Sequence, residues 1–265
     1  GPKNRMNTSV ARKKEMAWMK GIGVKGIKVD FFGGDKQATM KLYEDILTDA
    51  NKYGIGVIFH GCTLPRGWER MYPNHMSSEA ALVSENLVFS QYHADREAQR
   101  STLYPFIRNA VAAMDYGGVF FNKHFSKDGV KGTLRKTTDA FQVATSVLYQ
   151  SGIQHFGITP NNLTEQPEFI LDFLKKVPTV WDETRFIDGY PGKYCVLARR
   201  YGNQWYIAAT NATDQAMKLN LDLPWLGGQS VSVIGDNKEH TASLTETYVN
   251  KKGTLAIEMQ PMGGA

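Results

Sequence analysis

Cysteine is scarce in this sequence: its 265 residues hold two, Cys62 and Cys195. Far apart and each in apolar, strand-like surroundings, they read as buried free thiols, and no zinc-type spacing exists. Long hydrophobic runs are missing too. Nothing approaches the ~20 apolar residues of a membrane span, and no signal peptide is visible. Nor is basic charge concentrated: the densest runs are Arg12–Lys14, Lys175–Lys176 and Lys251–Lys252, within a net charge of +5. With no nucleic-acid motif beside them, these read as solvated surface, and no nucleic-acid partner is expected. The remainder is an ordinary globular composition, 42% hydrophobic and 22% charged, long enough to bury a sizeable core and divide into two domains.

The chain opens oddly. Gly1-Pro2 looks like the scar of a cleaved tag, Lys3 to Thr8 carries no fold signal, and a helix begins near Ser9. The chain is expected to be a piece of a longer protein.

The organising stretch is Gly26–Asp35, GIKVDFFGGD. Its strand formers Ile27, Val29, Phe31 and Phe32 predict a strand over Gly26–Phe32, closed by Gly-Gly-Asp. A helix over Ser9–Lys20 precedes it and an amphipathic helix over Lys36–Tyr53 follows, with Met40, Tyr43, Ile46, Leu47 and Ala50 at helical spacing and Gly54 as its stop. Ile55–Cys62 repeats the plan as a second buried strand ending in His60. Such βα units point to a parallel sheet covered on both faces.

Thr63–Ser78 reads as a long Pro-, Gly- and aromatic-rich loop, an ordered lid or pocket wall. Leu87–Phe89 is expected as a strand end, Thr137–Gln150 as a helix, Ile153–Ile158 as a strand and Pro167–Lys176 as a last helix. From Val180 the texture changes to short alternating segments, among them Tyr194–Arg199, Gln204–Asn211 and Thr254–Met259. These predict a small antiparallel sandwich, with the boundary near residues 177–185. Four or five parallel strands fall short of the eight of a TIM barrel, and an open half-barrel exposes unpaired edges. The missing strands come from elsewhere, or the sheet is not a barrel.

Reactive groups of parallel αβ barrels cluster at the carboxyl ends of the strands. Asp30 stands at such an end, with Lys28 two residues earlier on the same face; it is either a catalytic carboxylate or a helix cap facing solvent. Glu69, Glu79, Glu85 and Asp115 are the other carboxylates at strand ends or in pocket loops. Cleaving a glycosidic bond needs two such groups facing each other across it.

The runs GIKVDFF, FHGCTLPRGWERMYPN, SSEAALVSEN, PFIRNAVAAMDY and WDETRFIDGYPGKYCVLARR together resemble glycoside hydrolase family 97, from about Met16 to the C-terminus. The resemblance implies a fold of α/β plus all-β class: the C-terminal part of a (β/α)8 TIM barrel, about strand 4 to strand 8, over residues 1–180, then a small antiparallel β-sandwich over 181–265. The N-terminal domain and about three barrel strands would be supplied by the rest of the parent protein. In the family's inverting branch a base glutamate follows the histidine that ends the fifth strand. Here that histidine is His60 and Gly61 follows it, while Asp30 stands where the retaining, α-galactosidase-like branch carries its nucleophile.

The resemblance therefore makes Asp30 the nucleophile and Glu85 the general acid/base of a retaining exo-acting α-glycosidase, with an α-galactoside or related oligosaccharide as substrate. It implies Ca²⁺ held by Glu79 and Glu85, with further ligands in the absent domain, and a periplasmic or secreted location. Lys28 and His60 are expected to bind sugar hydroxyls or to make buried pairs. Arg108 is expected at the substrate or in structural pairing, and Trp68 to line the sugar pocket or simply to pack. Rival readings are a β-L-arabinopyranosidase, whose sugar matches galactose except for the C6 hydroxymethyl, an inverting α-glucosidase, disfavoured by Asp30 and Gly61, and a non-catalytic carbohydrate-binding fragment. The isolated chain is expected to be inactive.

Overall fold

The computed structural model describes residues 5–265; the expected Gly1-Pro2 tag remnant lies outside them. The chain forms two compact units. Among the described residues, one comprises 5–81, 108–116 and 150–154, the other 82–107, 117–149 and 155–265.

In the first unit, helix α1 (Ser9–Gly21) starts where the Thr8 side chain accepts from the Ala11 N–H, capping one of the orphan donors of its first turn. Strand β1 (Gly26–Val29), helix α2 (Gln37–Lys52), strand β2 (Gly56–Phe59), the single turn α3 (Trp68–Met71) and strand β3 (His75–Ser78) follow. Helix α2 turns Leu42, Tyr43, Ile46, Leu47 and Ala50 inward against Val29, Phe32, Val57 and Phe59. Arg12 ties α1 to α2, its guanidinium 2.8 Å from Asp49 and 3.3 Å from Asp45. The strands form a parallel sheet in the order β1-β2-β3, and a single parallel bridge from Ser78 to Met114 adds the beginning of a fourth.

Two expectations are corrected here. The first strand stops at Val29 rather than Phe32, because Phe31 takes a left-handed backbone, φ +68, which no ladder accommodates. The segment His75–Ser78 is a strand, although HMSS carries no apolar alternation. Its seryl groups are buried and paired internally, as in the 2.8 Å bond from Ser151 Oγ to Ser77 Oγ.

The second unit holds helices α4 (Glu97–Leu103), α5 (Asp139–Leu148) and α6 (Glu168–Lys176), then strands β4 (Glu183–Tyr190), β5 (Tyr194–Tyr201), β6 (Gln204–Asn211), β7 (Met217–Asp222), β8 (Ser230–Asp236), β9 (Ala242–Tyr248) and β10 (Thr254–Met259). All pair antiparallel: β4-β5-β6 as a meander, β7 with β10, and β8 with β9. The fold is thus mixed, a parallel α/β layer in one unit and antiparallel sheets in the other. Leu87–Phe89 is not a strand end: Leu87 and Val88 close a 3₁₀ turn, Ser84–Val88, and Phe89 caps it. Ile153–Ile158 forms no strand either.

Across the change of texture near residue 180, the preceding helices share a core with the strands. Val143, Ile170 and Leu174 pack with Ile234 and Ala242. Helix α5 is held at both ends by strand residues. At its N-terminus Asp236 accepts from the Ala140 amide at 3.3 Å and from Thr138 Oγ1 at 2.8 Å. At its C-terminus the buried Arg199 donates to the Val147 and Leu148 carbonyls at 2.7 and 3.0 Å. An anion at the start and a cation at the end match the helix dipole. Burial lowers Arg199 to a pKa of about 10, so it stays charged near neutrality. Arg199→Met strands both carbonyls and is expected to lower stability by about 2–4 kcal/mol, measured by denaturant unfolding.

Candidate active site

The ladder register decides what stands together. Val29 pairs with Phe59, Phe59 with Ser78 and Ser78 with Met114. The residue after each is polar: Asp30, His60, Glu79 and Asp115. The amides of the last three keep the ladder going, His60 N–H to the Val29 carbonyl at 2.9 Å, Glu79 N–H to Phe59 at 2.8 Å and Asp115 N–H to Ser78 at 3.0 Å. Four polar side chains therefore leave the C-terminal edge of the sheet in one row. The chain then turns sharply, with Phe31, Gly61 and Ala80 all left-handed at φ +68, +50 and +48. Such a backbone is unfavourable for phenylalanine and alanine by roughly 1–2 kcal/mol and persists only where surrounding bonds over-determine it.

His60 joins the row. Its Nδ1 lies 2.9 Å from Asp115 Oδ2 and its Nε2 3.3 Å from Glu79 Oε1. Asp115 Oδ2 also takes Lys28 Nζ at 3.0 Å, and Glu79 Oε2 accepts the Gly61 N–H at 2.7 Å. The result is a continuous charge-assisted chain, Lys28–Asp115–His60–Glu79. It is buried at Asp115 and His60 and partly open at Lys28, whose side chain is 33% exposed. Asp30 stands beside this chain, half-buried, with its Oδ1 accepting the Phe31 N–H at 2.5 Å. Glu85 belongs to the other unit, where it rides the half-buried first turn of Ser84–Val88, anchored by Val83 and Leu87. Tyr104 pins that turn from the side through a 2.9 Å bond to the Leu82 carbonyl.

For four side chains the structure shows the packing or pairing alternative. Trp68 is 1% exposed, packed against Tyr43, Phe59 and His75 with ring centroids 4.8, 5.7 and 6.1 Å away. It is core, and its face is not offered to a sugar. Arg108, 5% exposed, donates to the carbonyls of Ser78, Glu79, Ala112 and Ala113. It clamps the backbone around the third strand end rather than reaching a ligand. His60 is a buried bridge with both ring nitrogens engaged, not a sugar ligand. Lys28 too makes an ion pair, with Asp115. Asp115, on a segment with no strand signal of its own, is the hub the sequence left among the generic carboxylates.

Burial lowers His75 to a pKa of about 4, despite Glu69 nearby. Both thiols are free as expected, Cys195 buried and Cys62 half-buried; burial raises Cys62 to about 11 and Cys195 to about 12, so neither is a reactive thiolate at neutral pH.

Comparison with known proteins identifies the family. Profiles of glycoside hydrolase 97 match residues 3–81, and the profile described as glycosyl-hydrolase 97 C-terminal, oligomerisation, matches residues 180–265. The chain belongs to glycoside hydrolase family 97. This family-97 chain is 33% identical over 207 residues to a probable retaining α-galactosidase of Streptomyces bingchenggensis, covering 78% of the chain and 30% of that protein. It is 30% identical over 259 residues to a retaining α-galactosidase of Bacteroides thetaiotaomicron, covering 92% and 38%. A crystal structure of a β-arabinopyranosidase is 56% identical, with a TM-score of 0.95 over 98% of this chain and 42% of its own. The chain thus spans well under half the length of each of these family-97 relatives.

Two tests separate core from site. Trp68→Ala in the full-length protein is expected to lower stability by about 3–5 kcal/mol while leaving KM unchanged at a temperature where the variant is folded. Because His75 is depressed in the fold, the unfolded chain binds its proton first as pH falls. Stability is then lost as pH drops from about 6.5 towards about 4. His75→Gln is expected to flatten that part of the stability–pH curve, read as thermal midpoints.

Proposed function

We propose that the full-length protein carrying this chain is a retaining exo-glycosidase for galacto-configured sugars, with β-L-arabinopyranosides as its first substrates. The single observation that carries this is the 56% identity to a β-arabinopyranosidase over nearly the whole chain, with Asp30 standing at the sheet edge. β-L-Arabinopyranose and α-D-galactopyranose share their ring configuration and differ by the C6 hydroxymethyl. The two relatives named retaining α-galactosidases favour α-galactosides as the second reading.

In the mechanism, an Asp30 carboxylate oxygen attacks the anomeric carbon as the bond to the leaving oxygen breaks, and Glu85 gives that oxygen its proton. Water then attacks the glycosyl-Asp30 ester from the opposite face, Glu85 takes the water's proton, and the sugar leaves with its configuration retained. Such a pair works with its carboxyl groups about 5–5.5 Å apart, against roughly 6.5–9.5 Å for inversion. Lys28, partly open beside Asp30, keeps N–H donors besides the one on Asp115 for a sugar hydroxyl. Glu79 and Glu85 offer the hard carboxylate oxygens that suit Ca²⁺, and Glu79, though bonded on both oxygens, keeps lone pairs for it. Bound there, Ca²⁺ would stabilise negative charge near the acid/base. The parallel strands are part of a (β/α)8 barrel completed by the rest of the parent, in a protein exported to the periplasm or beyond.

The test is hydrolysis of 4-nitrophenyl β-L-arabinopyranoside and α-D-galactopyranoside by the full-length protein and by Asp30→Gly. Asp30→Gly is expected to lose about a thousandfold or more in kcat/KM and to regain turnover with azide. The product from the galactoside would then be the β-galactosyl azide. Activity kept without azide removes Asp30 from the chemistry, and a higher kcat/KM on the galactoside reverses the order of the two substrates.

A further inference from the structure

Two left-handed turns face each other across Asp30. On one side Phe31, at φ +68, donates its N–H to Asp30 Oδ1 at 2.5 Å. On the other, Gly61 sits at φ +50, and a Cβ there would lie 2.5 Å from the same Oδ1 and 2.9 Å from the Phe31 nitrogen. Real Cβ atoms do not come that close, so any side chain at 61 must displace either the carboxylate or the turn that bonds it. The glycine has no room to retreat. Its carbonyl accepts the Phe32 N–H at 3.2 Å and its own N–H is held by Glu79 Oε2 at 2.7 Å. Nor is the strain at Phe31 offset by packing of its ring, which is 75% exposed among the described residues; hydrogen bonds alone hold the turn.

We infer that Gly61 is a positioning residue for Asp30: the empty space at residue 61, closed off by the Phe31 turn, seats the carboxylate and leaves Oδ2 as the attacking oxygen. Oδ1 is engaged by the Phe31 amide and walled by Gly61, so the held oxygen is distinguished from the one that would attack. The inference rests on the reading of Asp30 as nucleophile. Reactive geometry is sensitive here, since a displacement near 1 Å lowers rates by about a hundredfold.

The experiment is a cycle in the full-length protein. Gly61→Ala is expected to lower kcat about a hundredfold or more with KM within about threefold, since the carboxylate is moved but the sugar contacts are not. In the Asp30→Gly background, where no carboxylate remains to be displaced, the same Gly61→Ala change is expected to leave azide-supported turnover within about threefold. A Gly61→Ala enzyme keeping kcat within about threefold of wild type overturns the inference, as does an equal loss in both backgrounds, which would mark general damage to the edge. Should Gly61→Ala alone not fold, a folded Asp30→Gly/Gly61→Ala supports the inference and a misfolded one overturns it. Failure of the parent reading looks different: Asp30→Gly would itself stay active without azide.

Discussion

Parallel pairing along one edge of the first unit is the constraint on which the site depends. Because Val29, Phe59, Ser78 and Met114 are in register, the next residue on each strand leaves the ladder at the same level. Neighbouring strands lie about 4.8 Å apart, which is the reach of one carboxylate–imidazole or carboxylate–ammonium contact. Of the contacts in the chain Lys28–Asp115–His60–Glu79, only His60–Glu79 joins neighbouring strands; Asp115 reaches across β3 to His60 and across two strands to Lys28. A slip of one residue on any strand would turn its side chains to the opposite face and take one member out of the row.

Once the row exists, its chemistry follows from how many partners each group has. Asp115 and His60 are buried and doubly engaged, so they serve as the rigid floor. Lys28 and Asp30 sit at the open side. Burying charges of this kind costs several kcal/mol per ion unless each is paired and hydrogen-bonded, and the amides of His60, Glu79 and Asp115 together with the Arg108 clamp fix the backbones that carry them. The same edge tolerates left-handed Phe31 and Ala80, conformations that local sequence alone would avoid. Strain of this kind persists only where surrounding bonds over-determine it.

The second unit shows how antiparallel strands complete a helical layer. Helix α5 has buried side chains along its whole length and depends on strand residues at both ends, Asp236 and Arg199. Sequence separation hides this, since Arg199 lies 51 and 52 positions from the carbonyls it serves. The change of periodicity read near residue 180 coincides with the start of the family's C-terminal profile, although helices before it and strands after it share a core.

By itself the sequence determined a good deal. Helical spacing of apolar residues marked α2 and α5, short segments broken by turn residues marked most strands of the second unit, and the bounds of Gln204–Asn211 and Thr254–Met259 were legible from the turn residues that flank them. The motif runs were enough to indicate the family, and Asp30 and His60 stood out as polar residues closing apolar strands. Tertiary structure alone decided the rest. His75–Ser78 is a strand only because its polar side chains find partners from distant segments, and Trp68 and Arg108 are inside because the turns carrying them fold inward. Asp115 becomes the hub because a one-residue bridge to Ser78 sets it beside His60. These are contacts between residues far apart in the chain, and no local pattern encodes which of two polar side chains will be buried and which left facing a ligand.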